Sequence, residues 1–106
     1  GSQTCFGEEN KSDLEFLNYL TNLIESRKEA SQDESYTSKL FAAGSKRIAK
    51  KVGEEAGELA LEAENGDMDR FVDEAADLLF HTMVLLSSRN INLNTVANRL
   101  KERHSK

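Results

Sequence analysis

Apolar residues recur at three- and four-residue spacing through most of this chain, and no stretch alternates as a strand would. Leu14, Leu17, Leu20, Leu23 and Ile24 mark a first helix. It is expected to begin after Ser12 or Asp13, either of which can cap free N–H groups, and to run to about Lys28. The polar run EASQDES then reads as a loop. A second helix is predicted from near Thr37 to Glu64, bent at Gly44 or Gly53, with Ile48, Val52, Ala56, Leu59, Ala60 and Ala63 as its inward stripe. Asn65-Gly66-Asp67 ends it: Asn or Gly can take the left-handed position, and Asp67 can cap the next helix. The third helix should span about Met68 to Ser88, facing Phe71, Val72, Ala75, Leu78, Leu79, Thr82, Leu85 and Leu86 inward. Asn92 suits the start of a last short helix through Val96 and Leu100 to roughly His104. The expected class is all-α, with four to five helices. The tight turn between the second and third makes them antiparallel neighbours.

A chain of 106 residues with 38% hydrophobic and 31% charged residues and no proline fits one soluble helical domain. A net charge of -5 argues against a nucleic-acid partner, which would require a basic face. It leaves room for a small phosphorylated ligand whose charge a metal balances. The single cysteine, Cys5, has no internal partner, so a reducing, cytoplasmic setting is expected. No apolar run is long enough to suggest a membrane partner. Gly1-Ser2 reads as a cloning remnant, and residues 3–12 read as a flexible leader lacking periodicity.

Charge changes the picture more sharply at two clusters. Glu54, Glu55 and Glu58 lie in KKVGEEAGE, and Glu74 and Asp77 lie in DEAAD. At 100° per residue, Glu55 falls about 60° from Val52, at the edge of the apolar face, with Glu58 and Glu54 further round. Glu74 holds the same edge on the third helix, with His81 and Asp77 just beyond. Ordinary solvated acids held by salt bridges are the bland alternative. Against it, Lys50 and Lys51 precede Glu54 and Glu55, and Arg70 precedes Glu74, all in the weaker i,i+4 order. Acids crowded at a core border repel unless neutralised, and Mg²⁺ or Mn²⁺ would do so through oxygen ligands. His81 is expected to hydrogen-bond the Asp77 acid rather than to ligate a hard cation. His104 suits a helix C-terminus. Zinc-type spacing, a phosphate loop and a nucleophilic triad are all missing from the sequence.

The pairing of E-E-x-x-E (Glu54, Glu55, Glu58) with E-x-x-D (Glu74, Asp77) resembles the metal motif of the all-α, MazG-like nucleoside triphosphate pyrophosphohydrolases. Three segments narrow the resemblance to phosphoribosyl-ATP pyrophosphohydrolase, an early enzyme of histidine biosynthesis. They are Ser35 to Leu40 (SYTSKL), Gly44 to Glu55 (GSKRIAKKVGEE) and Asp73 to His81 (DEAADLLFH). The likeness runs from about Leu14 to His104. Q-T-C-F (residues 3–6) resembles the closing segment of phosphoribosyl-AMP cyclohydrolase, often fused ahead of the pyrophosphohydrolase, where the cysteine is a zinc ligand. The cyclohydrolase body is missing from this sequence, so residues 1–12 are expected to be remnant and linker, residues 13–106 the pyrophosphohydrolase domain, and zinc is not expected to bind.

The resemblance implies hydrolysis of phosphoribosyl-ATP to phosphoribosyl-AMP and pyrophosphate by a homodimer whose site lies near the subunit interface. By motif position, Glu54, Glu55, Glu58, Glu74 and Asp77 would carry Mg²⁺, or Mn²⁺ in its place. Glu55 or Glu58 would act on the attacking water, with Glu55 the stronger candidate. Lys39, Lys50 and Lys51 would neutralise phosphates, and Tyr36 and Thr37 would contact substrate, although Thr37 also suits a helix cap. Two other readings remain: a house-cleaning hydrolase of free nucleoside triphosphates, and a non-catalytic helical dimerisation module.

Overall fold

The computed structural model describes residues 9–105, so Cys5 and the Q-T-C-F segment lie outside the described residues. Five helices follow one another: α1 (Glu9–Ser26), α2 (Tyr36–Ala43), α3 (Ser45–Asn65), α4 (Met68–Ser88) and α5 (Leu93–His104). Among the described residues there is no strand, and the class is all-α as expected. No helix among them is long and apolar enough to cross a membrane.

The first helix begins earlier than expected, at Glu9, so Ser12 and Asp13 lie inside it rather than capping it. Adding a turn to an existing helix requires no new nucleus. The expected second helix is two helices, because Gly44 breaks it outright. Its φ of 97° and ψ of 161° belong to a region that only glycine enters readily. The Gly44 N–H still closes α2 on Leu40 O and Phe41 O. Ser35, not Thr37, caps α2, its side chain accepting from the Ser38 N–H. The turn between α3 and α4 is as the sequence predicts: Gly66 is left-handed, and Asp67 Oδ1 accepts from Arg70 N–H at 3.2 Å. Asn92 caps α5 through Thr95 N–H at 3.1 Å.

α3 and α4 form an antiparallel hairpin, α2 lies across both, and α1 packs on α4. Ile24, Leu40, Ile48, Met83 and Val84 make the buried core, one or two from each of α1 to α4. That core sits at the end of the hairpin away from its turn. The seam of α3 has buried residues at a seven-residue repeat, Ile48, Glu55 and Glu62, so it changes from apolar to acidic along its length.

The expected stripes hold in part: Ile48 is buried, and Val52 and Leu59 on α3 and Phe71, Ala75, Leu78, Thr82, Leu85 and Leu86 on α4 are half-buried. Ala56, Ala60 and Ala63 are exposed, as are Val72 and Leu79 on α4. Alanine contributes little apolar area, so it does not decide which face a helix buries. Docking against α4 selects the Ile48 face.

Candidate active site

The seam brings together three of the five acids singled out by the sequence. Glu55, Glu58 and Glu74 each offer one carboxylate oxygen, and the three lie within 4.8 Å of one another. Glu55 is buried, at 5% exposure, rather than at the edge of the face where the helical wheel put it. Its Oε2 meets the Lys51 ammonium at 3.4 Å, while Oε1 has no hydrogen-bond partner among the described residues. The unfavoured residue order therefore did not prevent the pair: Lys51 lies one turn back on the same face and has no competing acid as close. Glu74 is half-buried and its Oε1 is likewise buried and unpartnered. Glu58 opens to solvent.

Electrostatics follow from this crowding. Burial, then a hydrogen bond with Glu58, then the charges of Glu58, Glu55 and Asp77 hold the Glu74 carboxyl above its ordinary value. The Lys51 ammonium is held above its own, first by its hydrogen bond to Glu55 and then by the nearby Tyr36 oxygen, with burial opposing. Hard oxygen donors, two of them buried and unsatisfied, are the donor set a small divalent cation takes. Mg²⁺ or Mn²⁺ fits these residues, leaving positions for water and phosphate oxygens.

Glu54 and Asp77 are exposed and stand outside that trio. His81 is buried, as befits an orienting residue, but it does not bond the Asp77 carboxylate. Its Nδ1 lies 2.7 Å from the Asp77 backbone carbonyl, which can only accept, so Nδ1 carries the proton. In the neutral ring Nε2 then accepts, and the Tyr36 hydroxyl donates to it at 2.8 Å. Tyr36 also stacks on Phe80 at a centroid distance of 6.4 Å, which holds its ring against α4. A hollow of about 360 Å³ opens beside it, lined by Tyr36, Leu40, Arg47, Lys50, Lys51 and Glu54 among others. Thr37 and Lys39, both proposed by motif position, do not line it. His104 is exposed in the last turn of α5.

Two residues matter here that the sequence reading passed over. Arg47 lines the hollow, and its place three and four residues before Lys50 and Lys51 was the available signal. Glu62 is buried, with Oε2 3.2 Å from Arg70 and Oε1 unpartnered. Arg70 thus serves Glu62 across the turn, not Glu74 on its own helix. The seven-residue step from Glu55 would have flagged Glu62.

The profile of the phosphoribosyl-ATP pyrophosphohydrolase family matches residues 17–104. The chain belongs to that family. Its relatives include proteins named histidine biosynthesis bifunctional protein HisIE. That of Yersinia pestis is 47% identical over 106 residues, covering 100% of this chain and 52% of that protein. That of Campylobacter jejuni is 48% identical over 105 residues, covering 98% and 51%. That of Bacteroides thetaiotaomicron is 45% identical over 105 residues, covering 99% and 52%. The chain spans about half the length of the curated relatives it matches. Its Glu55–Glu58–Glu74 trio gathers oxygen donors, and the hollow lined by Arg47, Lys50 and Lys51 gathers positive charge.

Proposed function

We propose that this pyrophosphohydrolase-family chain hydrolyses the anhydride between the α- and β-phosphates of phosphoribosyl-ATP, yielding phosphoribosyl-AMP and pyrophosphate for histidine biosynthesis. The observation carrying this reading is the trio of carboxylate oxygens within 4.8 Å, two of the three residues having a buried unpartnered oxygen. Glu55, Glu58 and Glu74 would hold Mg²⁺ or Mn²⁺, with Glu54 and Asp77 beside them. When bound, the ion supplies positive charge against the phosphate oxygens. Lys51 holds Glu55 Oε2 and leaves Oε1 free to orient the attacking water and take its proton, with Glu58 next to it. Lys51, beside Glu55, faces the charge that grows on the leaving pyrophosphate. Tyr36, fixed by His81, gives the hollow a rigid aromatic wall. The chain is the pyrophosphohydrolase part of a bifunctional protein with a cyclohydrolase ahead of it.

It acts as a homodimer. Met68, Val72 and Leu79 share one outward face of α4, within about 40° of each other on the wheel, and all three are exposed. Such a face, on a domain with so small a core, is buried by association.

Pyrophosphate release from phosphoribosyl-ATP, measured against a panel of free nucleoside triphosphates with and without Mg²⁺, tests the reaction. Glu58→Gln and Asp77→Asn should abolish release while helical content stays intact. Equal turnover of free nucleotides would favour the house-cleaning alternative, and normal turnover in both variants would end the carboxylate mechanism. A concentration-independent monomer in sedimentation would refute the dimer.

A further inference from the structure

The carboxylates account for one end of the site only. Arg47 lies eight residues before Glu55 on α3, about 12 Å away along the helix axis. It lines the hollow beside Tyr36 and Lys51, and also a second hollow of about 390 Å³ that it shares with Ala43, Lys46 and Lys50. Arg47 and Lys50 thus stand on the rim common to both.

The charge balance there is unusual for this acidic chain. Among the described residues, Lys46, Arg47 and Lys50 have no carboxylate within salt-bridge reach; the ion pairs lie elsewhere. All three fall in the first two turns of α3, whose first turn contains no acid, where the helix dipole opposes positive charge. Three unpaired cations around a concavity are stabilised by a bound anion. The carboxylates that would hold the anhydride begin about 12 Å further along the helix axis than Arg47, so a second anionic group of the substrate suits Arg47 better than the anhydride does.

Taking the reaction proposed above as given, the substrate has a second anionic end. Phosphoribosyl-ATP bears a triphosphate on one ribose and a phosphate on the ribose added to its base. We propose that Arg47 is a specificity-determining residue that binds the phosphate of this phosphoribosyl arm, with Lys50 alongside. A guanidinium presents a planar fork of donors that matches two phosphate oxygens, which a lysine cannot do. Tyr36 lines the same hollow as Arg47 and Lys51, where the nucleoside would lie. A free nucleoside triphosphate offers the same anhydride to the carboxylates but leaves Arg47 unmatched. Selectivity for the phosphoribosyl adduct therefore resides in a group remote from the bond that breaks.

The two nucleotides phosphoribosyl-AMP and AMP differ only in that arm, so calorimetric binding of each isolates it. The wild type should prefer phosphoribosyl-AMP. Arg47→Ala and Arg47→Met should weaken phosphoribosyl-AMP by about ten- to a hundredfold and leave AMP unchanged. Arg47→Lys, which keeps the charge and the helix, should lose part of the preference. The unchanged AMP affinity doubles as the check on folding. Equal binding of the two nucleotides by the wild type, a selectivity unaltered in Arg47→Ala and Arg47→Lys, or an equal loss for both nucleotides in Arg47→Lys would overturn the assignment. Wild-type failure to release pyrophosphate from phosphoribosyl-ATP would instead defeat the reaction. Normal wild-type turnover with selectivity intact in the variants would defeat the role of Arg47 alone.

Discussion

Replacing Glu55 by glutamine should make the metal-free protein more stable while removing its response to metal. The charge on Glu55 stands within 4.8 Å of two other carboxylate oxygens. At an effective dielectric constant between those of surface and bulk water, each such neighbour costs about 1–2 kcal/mol. Against that stands the attraction of Lys51 at 3.4 Å, an ion pair of the partly exposed kind that contributes roughly 1 kcal/mol at most. Glutamine keeps the shape and still offers Lys51 an oxygen. The net gain without metal is therefore on the order of 1 kcal/mol, or a rise of about 4–8 °C in Tm for a domain of this size. A cation at the trio should stabilise the wild type by more, about 2.7 kcal/mol at a hundred times Kd, which the variant with one charged ligand fewer should largely forfeit. Thermal melts followed by circular dichroism, in EDTA and in a Mn²⁺ or Mg²⁺ series, read both effects. A Glu55→Gln protein that melts below the wild type in EDTA yet shifts fully with metal would refute the reasoning. Glu55 would then be an ordinary partner of Lys51.

Glu74 gives a pH test. Its folded-state value lies above the ordinary 4.5, so the metal-free protein is favoured while Glu74 keeps its proton. That advantage is complete below the ordinary value and is lost as pH rises through the folded-state value, so urea midpoints should fall across that window and Glu74→Gln should flatten the fall. Gly44→Ala should cost about 1–3 kcal/mol in urea denaturation, because nothing lies within 4 Å of the new Cβ and the penalty is wholly that of the backbone conformation. Gly53→Ala, inside α3 with equal space, should instead stabilise by about 0.5–1 kcal/mol. Arg70→Met strands the buried Glu62 carboxylate, and since Arg70 is itself 67% exposed the loss should be about 1–2 kcal/mol, below that of a fully buried pair. Adding Glu62→Gln to that variant should recover most of it.

Local chemistry made several features readable without a structure. Asn65-Gly66-Asp67 and Asn92 define helix ends through single residues whose side chain or missing Cβ acts on the adjacent backbone, and all of them act as read. Gly44 was recognised as a weak point but not as a break, since glycine also sits quietly within helices, as Gly53 and Gly57 do. Acids near the border of an apolar face signalled a site. Which of them meet depends on the rotation of one helix against another, and wheel angles taken from alanine-rich stripes misjudge that rotation.

By itself, then, the sequence determined the helical class, the α3–α4 hairpin with its turn, and the two acidic clusters from which the candidate site is drawn. Each of these rests on interactions within a few residues, or on residue types carrying their chemistry with them. Tertiary structure alone decided that Glu55, Glu58 and Glu74 form the trio while Glu54 and Asp77 stay outside it. It also decided that His81 serves Tyr36, that Arg70 serves Glu62, and that Arg47 faces the same hollow as Lys51. Those choices come from how α2 and α4 dock on α3: burying the Ile48 face turns the seven-residue seam, and every acid on it, toward α4.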